Sequence, residues 1–228
     1  MVSGEGLLRV FLFSFVGIPI LFLFGILLYG FPSQAAIFYT REEGSILLGG
    51  AVLYLITHVV IRKPERMYLW AHEFSHLIVA KIFLRKVHSF HITSRDGGKV
   101  VIDRTNVIID LAPYIFPLYS VAAGCVAVLF RSASPWVPDV YLALASFLFS
   151  MHVLFSVEGF FKGQPDVKRS GRLFSGAIVF LSLLLWIPCL LAPGTAAGWK
   201  GAVSAYKGWF SASGADARRL LLYARSFF

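Results

Sequence analysis

The stretch WAHEFSHLIVA, residues 70–80, sets His72, Glu73 and His76 into an otherwise apolar run. On an α-helix, residues four apart share a face with Cβ atoms about 5–6 Å apart, so His72 and His76 can offer two imidazole nitrogens to one metal ion. Glu73 then flanks the ion without having to bind it. Two neutral imidazoles suit Zn²⁺, which in catalytic sites takes a third protein ligand and keeps one position for a water of lowered pKa. Glu73 is the natural general base for that water. Multiplying the frequencies of six His and six Glu in 228 residues gives roughly 0.004 chance occurrences of this spacing. An ionisable side chain near mid-bilayer also costs about 2.5–3.5 kcal/mol, and here three occur within five residues. A purely structural metal site is the alternative.

The surroundings place this helix in a membrane. The chain is 57% hydrophobic and only 14% charged, against roughly one quarter charged in soluble domains. Cys125 and Cys189 both fall in apolar runs, which excludes a disulfide scaffold of the small secreted kind. The net charge of +9 resides in short loops between apolar segments, where it reads as membrane-surface anchoring, with no nucleic-acid partner. Apolar runs at 7–29, 45–61, 67–84, 107–130, 139–160 and 173–192 predict an all-α polytopic membrane protein of about six transmembrane helices. The first is longer than a signal-peptide core, so a retained helix is favoured over cleavage near Ser33-Gln34-Ala35. Pro113 and Pro117 should kink the fourth run. Between the third and fourth, alternating side chains around Asp96-Gly97-Gly98 predict a short β-hairpin after the His-Glu-x-x-His helix. Residues 1–194 then form one six-helix domain, and 195–228 a basic amphipathic tail lying in the interface of the lipid bilayer.

A His-Glu-x-x-His on a membrane helix, followed by a hairpin and a proline-containing span, resembles the site-2 protease family of intramembrane zinc metalloproteases. The segments AHEFSHLIVAKIF, GGKV and LAPYIFPLYS are most similar to its small, compact bacterial members without a PDZ domain, over roughly residues 67–176. The resemblance implies Zn²⁺ as cofactor and hydrolysis of peptide bonds of membrane-protein or peptide substrates within or next to the bilayer. It also implies a location in the bacterial inner (cytoplasmic) membrane, a third zinc ligand that is an Asp from a later segment, and room for a regulatory membrane partner.

The family's Asp-Gly motif is missing after residue 97. Asp166, in Gln164-Pro165-Asp166, is the nearest match and the first choice of third ligand, with an ordinary solvated loop acid as the other reading. Asp110 is its rival, because IIDLAPY buries a carboxylate inside a span. His152 and Glu158 are candidates for a ligand or a supporting role. Asp96 reads as a turn residue and Asp139 as a helix N-cap. Alternating six spans puts the hairpin and residues 161–172 on one side and Arg62-Lys63-Pro64-Glu65-Arg66 on the other, and the count of basic residues turns the first side to the cytoplasm. The alternative function is a catalytically inactive scaffold of the same type that binds or sequesters partner membrane proteins. A channel leaves the Glu73 spacing unexplained.

Overall fold

The computed structural model describes residues 4–38, 40–93 and 97–225. Its helices are α1 (Gly4–Phe38), α2 (Arg41–Ile56, continued by a π-helical turn Thr57–Ile61), α3 (Glu65–Ile82), α4 (Val107–Ile115), α5 (Leu118–Phe130), α6 (Val137–Lys162), α7 (Pro165–Arg169), α8 (Arg172–Leu191) and α9 (Gly198–Arg225). Strands β1 (Val87–Thr93) and β2 (Gly97–Ile102) pair antiparallel between α3 and α4, with a register irregularity between Val87 and Ser89. The hairpin is thus where the alternation placed it; Asp96, assigned to its turn, lies outside the described residues.

Among the described residues, four helices, α1, α2 with its π turn, α6 and α8, are long and apolar enough to cross a membrane, and the α4–α5 pair makes a fifth if it is one bent span. The mostly helical, polytopic reading holds. The count of about six is reached only with α3, which carries Glu65, Arg66, Glu73 and Lys81. Asp139 lies in the first turn of α6, whose N-cap is Trp136, so its capping assignment is not met.

The break between α4 and α5 measures 66° and follows from the two prolines. Pro113 has no N–H for the carbonyl of Ile109, four residues earlier, and Pro117 ends the helical ladder. The carbonyls so released find side-chain donors. Ile109 O accepts from His76 Nδ1 at 2.8 Å, Tyr114 O from His152 Nε2 at 3.0 Å and Ile115 O from Trp186 Nε1 at 2.6 Å. Burying unpaired carbonyls in an apolar bundle would cost about 1–3 kcal/mol each, so the kink and these polar side chains require one another.

α2 packs along α6, α1 along α8, and α9 across both α1 and α8. Trp209 on α9 is 2% exposed and donates its Nε1–H to Leu27 O at 2.5 Å, while Ala202 and Ala205 pack on Ala192. One end of the bundle is tied by Glu43, which closes a capping box with Thr40 and accepts from Ala196 N at 2.7 Å, and by Arg131 Nη2, which donates to Thr195 O at 2.9 Å. At the other end, Lys63 reaches Glu158 at 2.5 Å. Residues 62–66 and the end of α6 therefore share a side, which corrects the alternation that separated them. The physical reason is that α3 starts beside the end of α6 and the hairpin folds back along it, so α3 does not act as one more simple crossing.

Candidate metal centre

Tyr68, His72 and His76 follow one another at four-residue steps on α3, a spacing that stacks them along one face. That face meets α4 and the short α7. The buried side chains Leu111 and Tyr114 of α4, Val167 of α7, and Val179 and Leu183 of α8 form one core cluster, and Ser175 Oγ donates to Val167 O at 2.9 Å. Fully burying a Val contributes about 1.5–3 kcal/mol, and Val167 is the residue after Asp166. The apolar anchor therefore aims the carboxylate of Asp166 back at α3.

Asp166 Oδ2 lies 3.6 Å from His72 Nε2 and 3.5 Å from His76 Nε2. Among the described residues, these three form the one group of potential ligands whose donor atoms lie within 4.8 Å of one another. A tetrahedral ion with bonds of about 2.0–2.1 Å separates its ligands by about 3.3–3.4 Å, so the donor set fits a zinc-sized cation with little adjustment. Because a carbonyl only accepts, His76 gives its Nδ1 proton to Ile109 O, which fixes the ring with Nε2 turned to Asp166. Burial pushes the Asp166 carboxyl up, but hydrogen bonds from His72 and His76 and their charge pull it further the other way, well below the usual carboxylate range.

Glu73 is 8% exposed and lies under the hairpin. A Cβ on Gly98 of β2 would come within 2.3 Å of Glu73 Cγ, so only a glycine lets the strand pass this close. The other candidates lie elsewhere. Asp110 is buried but accepts from Arg169 Nη1 at 2.9 Å. Glu158 is held by Lys63, by His58 at 3.0 Å and by Lys162 at 3.3 Å. His152 is buried on α6 and spends its Nε2 proton on Tyr114 O.

Sequence reasoning missed four contributors. Tyr68 places its hydroxyl 3.4 Å from His72 Nδ1, and Tyr114 sets its ring edge-on to His72 at 5.4 Å between centroids. Among the described residues, the buried Tyr114 hydroxyl has no hydrogen-bond partner. Gly98 and the Ile109 carbonyl complete the list. Two of these left a signal, since Tyr68 stands one helical turn before His72 and Pro113 stands four residues after Ile109.

The sequence model of the Peptidase M50B-like family matches residues 45–162, which contain His72, Glu73 and His76 and end four residues before Asp166. No curated protein matches the chain, and no solved structure does. The match covers more than half of the 228 residues, and with the apolar helices around it the chain is an integral membrane protein that belongs to the Peptidase M50B-like family, a family of metal-dependent peptidases.

Proposed function

We propose that the chain is an intramembrane zinc metalloendopeptidase that cuts membrane-protein substrates within or next to the bilayer. The observation that carries this reading is the meeting of His72 Nε2, His76 Nε2 and Asp166 Oδ2 at one point, one residue away in sequence from a buried Glu73. His72, His76 and Asp166 would hold the ion. Bound there, Zn²⁺ would supply Lewis acidity and lower the pKa of a nearby water to near 7. Glu73 would accept a proton from the attacking water at its carboxylate and return it to the leaving amine, so two products form with no net proton change. The apolar wall and the hairpin over Glu73 keep bulk water from that carboxylate. An extended substrate segment can pair with an edge of the hairpin, which presents peptide bonds free of helical hydrogen bonds beside Glu73.

Family membership favours this enzyme over the inactive scaffold. Arg62, Lys63 and Arg66 at the site-bearing end add to Lys162, Lys168, Arg169 and Arg172, whereas Arg41 and Arg131 mark the other. By the positive-inside rule we assign the site-bearing end to the cytoplasm, in keeping with a bacterial inner membrane.

The test pairs wild type with Glu73→Gln, both purified in detergent and loaded with zinc. About one zinc per chain in both, with cleavage of a model transmembrane peptide reduced by about 10²–10⁴-fold in the variant, is expected from loss of a general base. Undiminished cleavage by the variant, or a wild type that takes up no zinc, would overturn the assignment.

A further inference from the structure

A cavity of about 660 Å³ opens beside the candidate metal centre, between the start of α3, the end of α6 and the hairpin. Its lining includes Tyr68, Gly97 and Gln164. Each adjoins the centre: Tyr68 lies against His72, Gly97 precedes the Gly98 that covers Glu73, and Gln164 stands two residues before Asp166. Its rim carries Arg62, Lys63, Arg66 and Lys162 against the carboxylates of Glu65 and Glu158. Glu158 is already engaged by Lys63, Lys162 and His58. Arg62 and Arg66 are exposed and take part in no ion pair among the described residues. The rim of this cavity therefore holds a surplus of positive charge, with the Arg62 and Arg66 guanidinium groups in no ion pair among the described residues.

We infer that this rim selects substrates whose chain carries acidic residues just outside the membrane segment that is cut. The inference rests on the peptidase reading of the adjoining centre and names the class of substrate it takes. A polypeptide lying across the cavity with one bond at Glu73 must pass the rim. Arg66 precedes His72 by six residues, about 9 Å along the helix, a distance an extended chain covers in about three residues. Asp or Glu roughly three to four residues from the scissile bond then faces Arg62 and Arg66, and Lys or Arg there is repelled. A peptide is favoured over a lipid headgroup because Tyr68, Gly97 and Gln164 of the lining each neighbour a residue of the candidate centre.

The experiment uses fluorescent peptides with one Leu-Ala membrane segment and Asp-Asp, Gln-Gln or Lys-Lys at its polar boundary. They are titrated by anisotropy into the Glu73→Gln chain in nonionic detergent, on that background and with Arg62→Glu/Arg66→Glu added. Two partly exposed charge pairs give an expected preference of about 10-fold for Asp-Asp over Lys-Lys, shrinking as NaCl is raised and reversing in the double Glu variant. Arg62→Gln/Arg66→Gln should flatten it. Equal affinities for the three peptides, or a preference that survives the double reversal, would overturn the inference. Charge-indifferent peptide binding with Arg66-dependent capture of phosphatidylglycerol over phosphatidylcholine vesicles would also overturn it, giving the rim to lipid. Cleavage by wild type separates the two readings. A chain that binds the Asp-Asp peptide tightly yet cuts none loses the peptidase reading and keeps the rim, and one that cuts all three equally loses the rim alone.

Discussion

Asp166 and Asp110 were both plausible third ligands in the sequence, and they differ in what surrounds them. Asp166 faces two imidazoles at 3.5 and 3.6 Å, whereas Asp110 faces the Arg169 guanidinium at 2.9 Å. Asp166→Ala should therefore abolish stoichiometric zinc, measured by mass spectrometry of the metal in purified protein. Asp110→Ala should retain it and lose only about 1 kcal/mol of stability, a modest figure because Arg169 is half exposed. The reverse pattern would exchange the two roles. Gly98→Ala is the matching test at Glu73. The added methyl has no room at 2.3 Å from Glu73 Cγ, so strand or carboxylate must move. A displacement of about 1 Å at a reacting group can cost about 10²-fold; kcat should fall by at least ~10-fold with zinc content unchanged, and an unaffected kcat would mean that the contact has no bearing on Glu73.

At the scale of the element, the bent α4 links helix chemistry to the site. Pro113 leaves the Ile109 carbonyl without its helical donor, and His76 fills that role. Pro113→Ala restores an N–H that competes with His76 Nδ1 for this carbonyl, so the imidazole loses its anchor although no ligand has changed. Loss of such an outer hydrogen bond typically weakens metal affinity by 10–100-fold, and a zinc competition titration against a chromophoric chelator should show a drop of about that size. Unaltered affinity would show that the helix keeps its bend and its free carbonyl without the proline. The hairpin and the kink were both legible from residue types, since alternation and Gly pairs mark one and two prolines the other. The side chains that meet the released carbonyls, His76, His152 and Trp186, come from three other elements and carry no local mark.

At the scale of the molecule, the meeting of Lys63 and Glu158 decides sidedness. With Cys125 and Cys189 replaced, Glu65→Cys and Lys168→Cys should react with an impermeant maleimide from the same side of sealed vesicles, and Ser132→Cys from the opposite side. Strict alternation with α3 as a full crossing expects Glu65 and Lys168 on opposite sides, so that result would refute the arrangement described. The tail shows the same dependence on packing. Its basic, amphipathic composition suggested an interfacial segment, and in the fold residues 198–225 form a helix whose Trp209 is buried against Leu27 of α1.

By itself the sequence determined the membrane class, the hairpin, the kinked span and the His-Glu-x-x-His face, because hydropathy, strand alternation, missing N–H groups and helical periodicity are properties of residues close together in the chain. Only the tertiary structure decided which carboxylate joins His72 and His76, that Gly98 lies on Glu73, and that a basic rim borders the site. Those are contacts between segments tens of residues apart, set by how the kinked α4, the short α7 and the folded-back hairpin pack on α3. Local pattern carries no information on that packing.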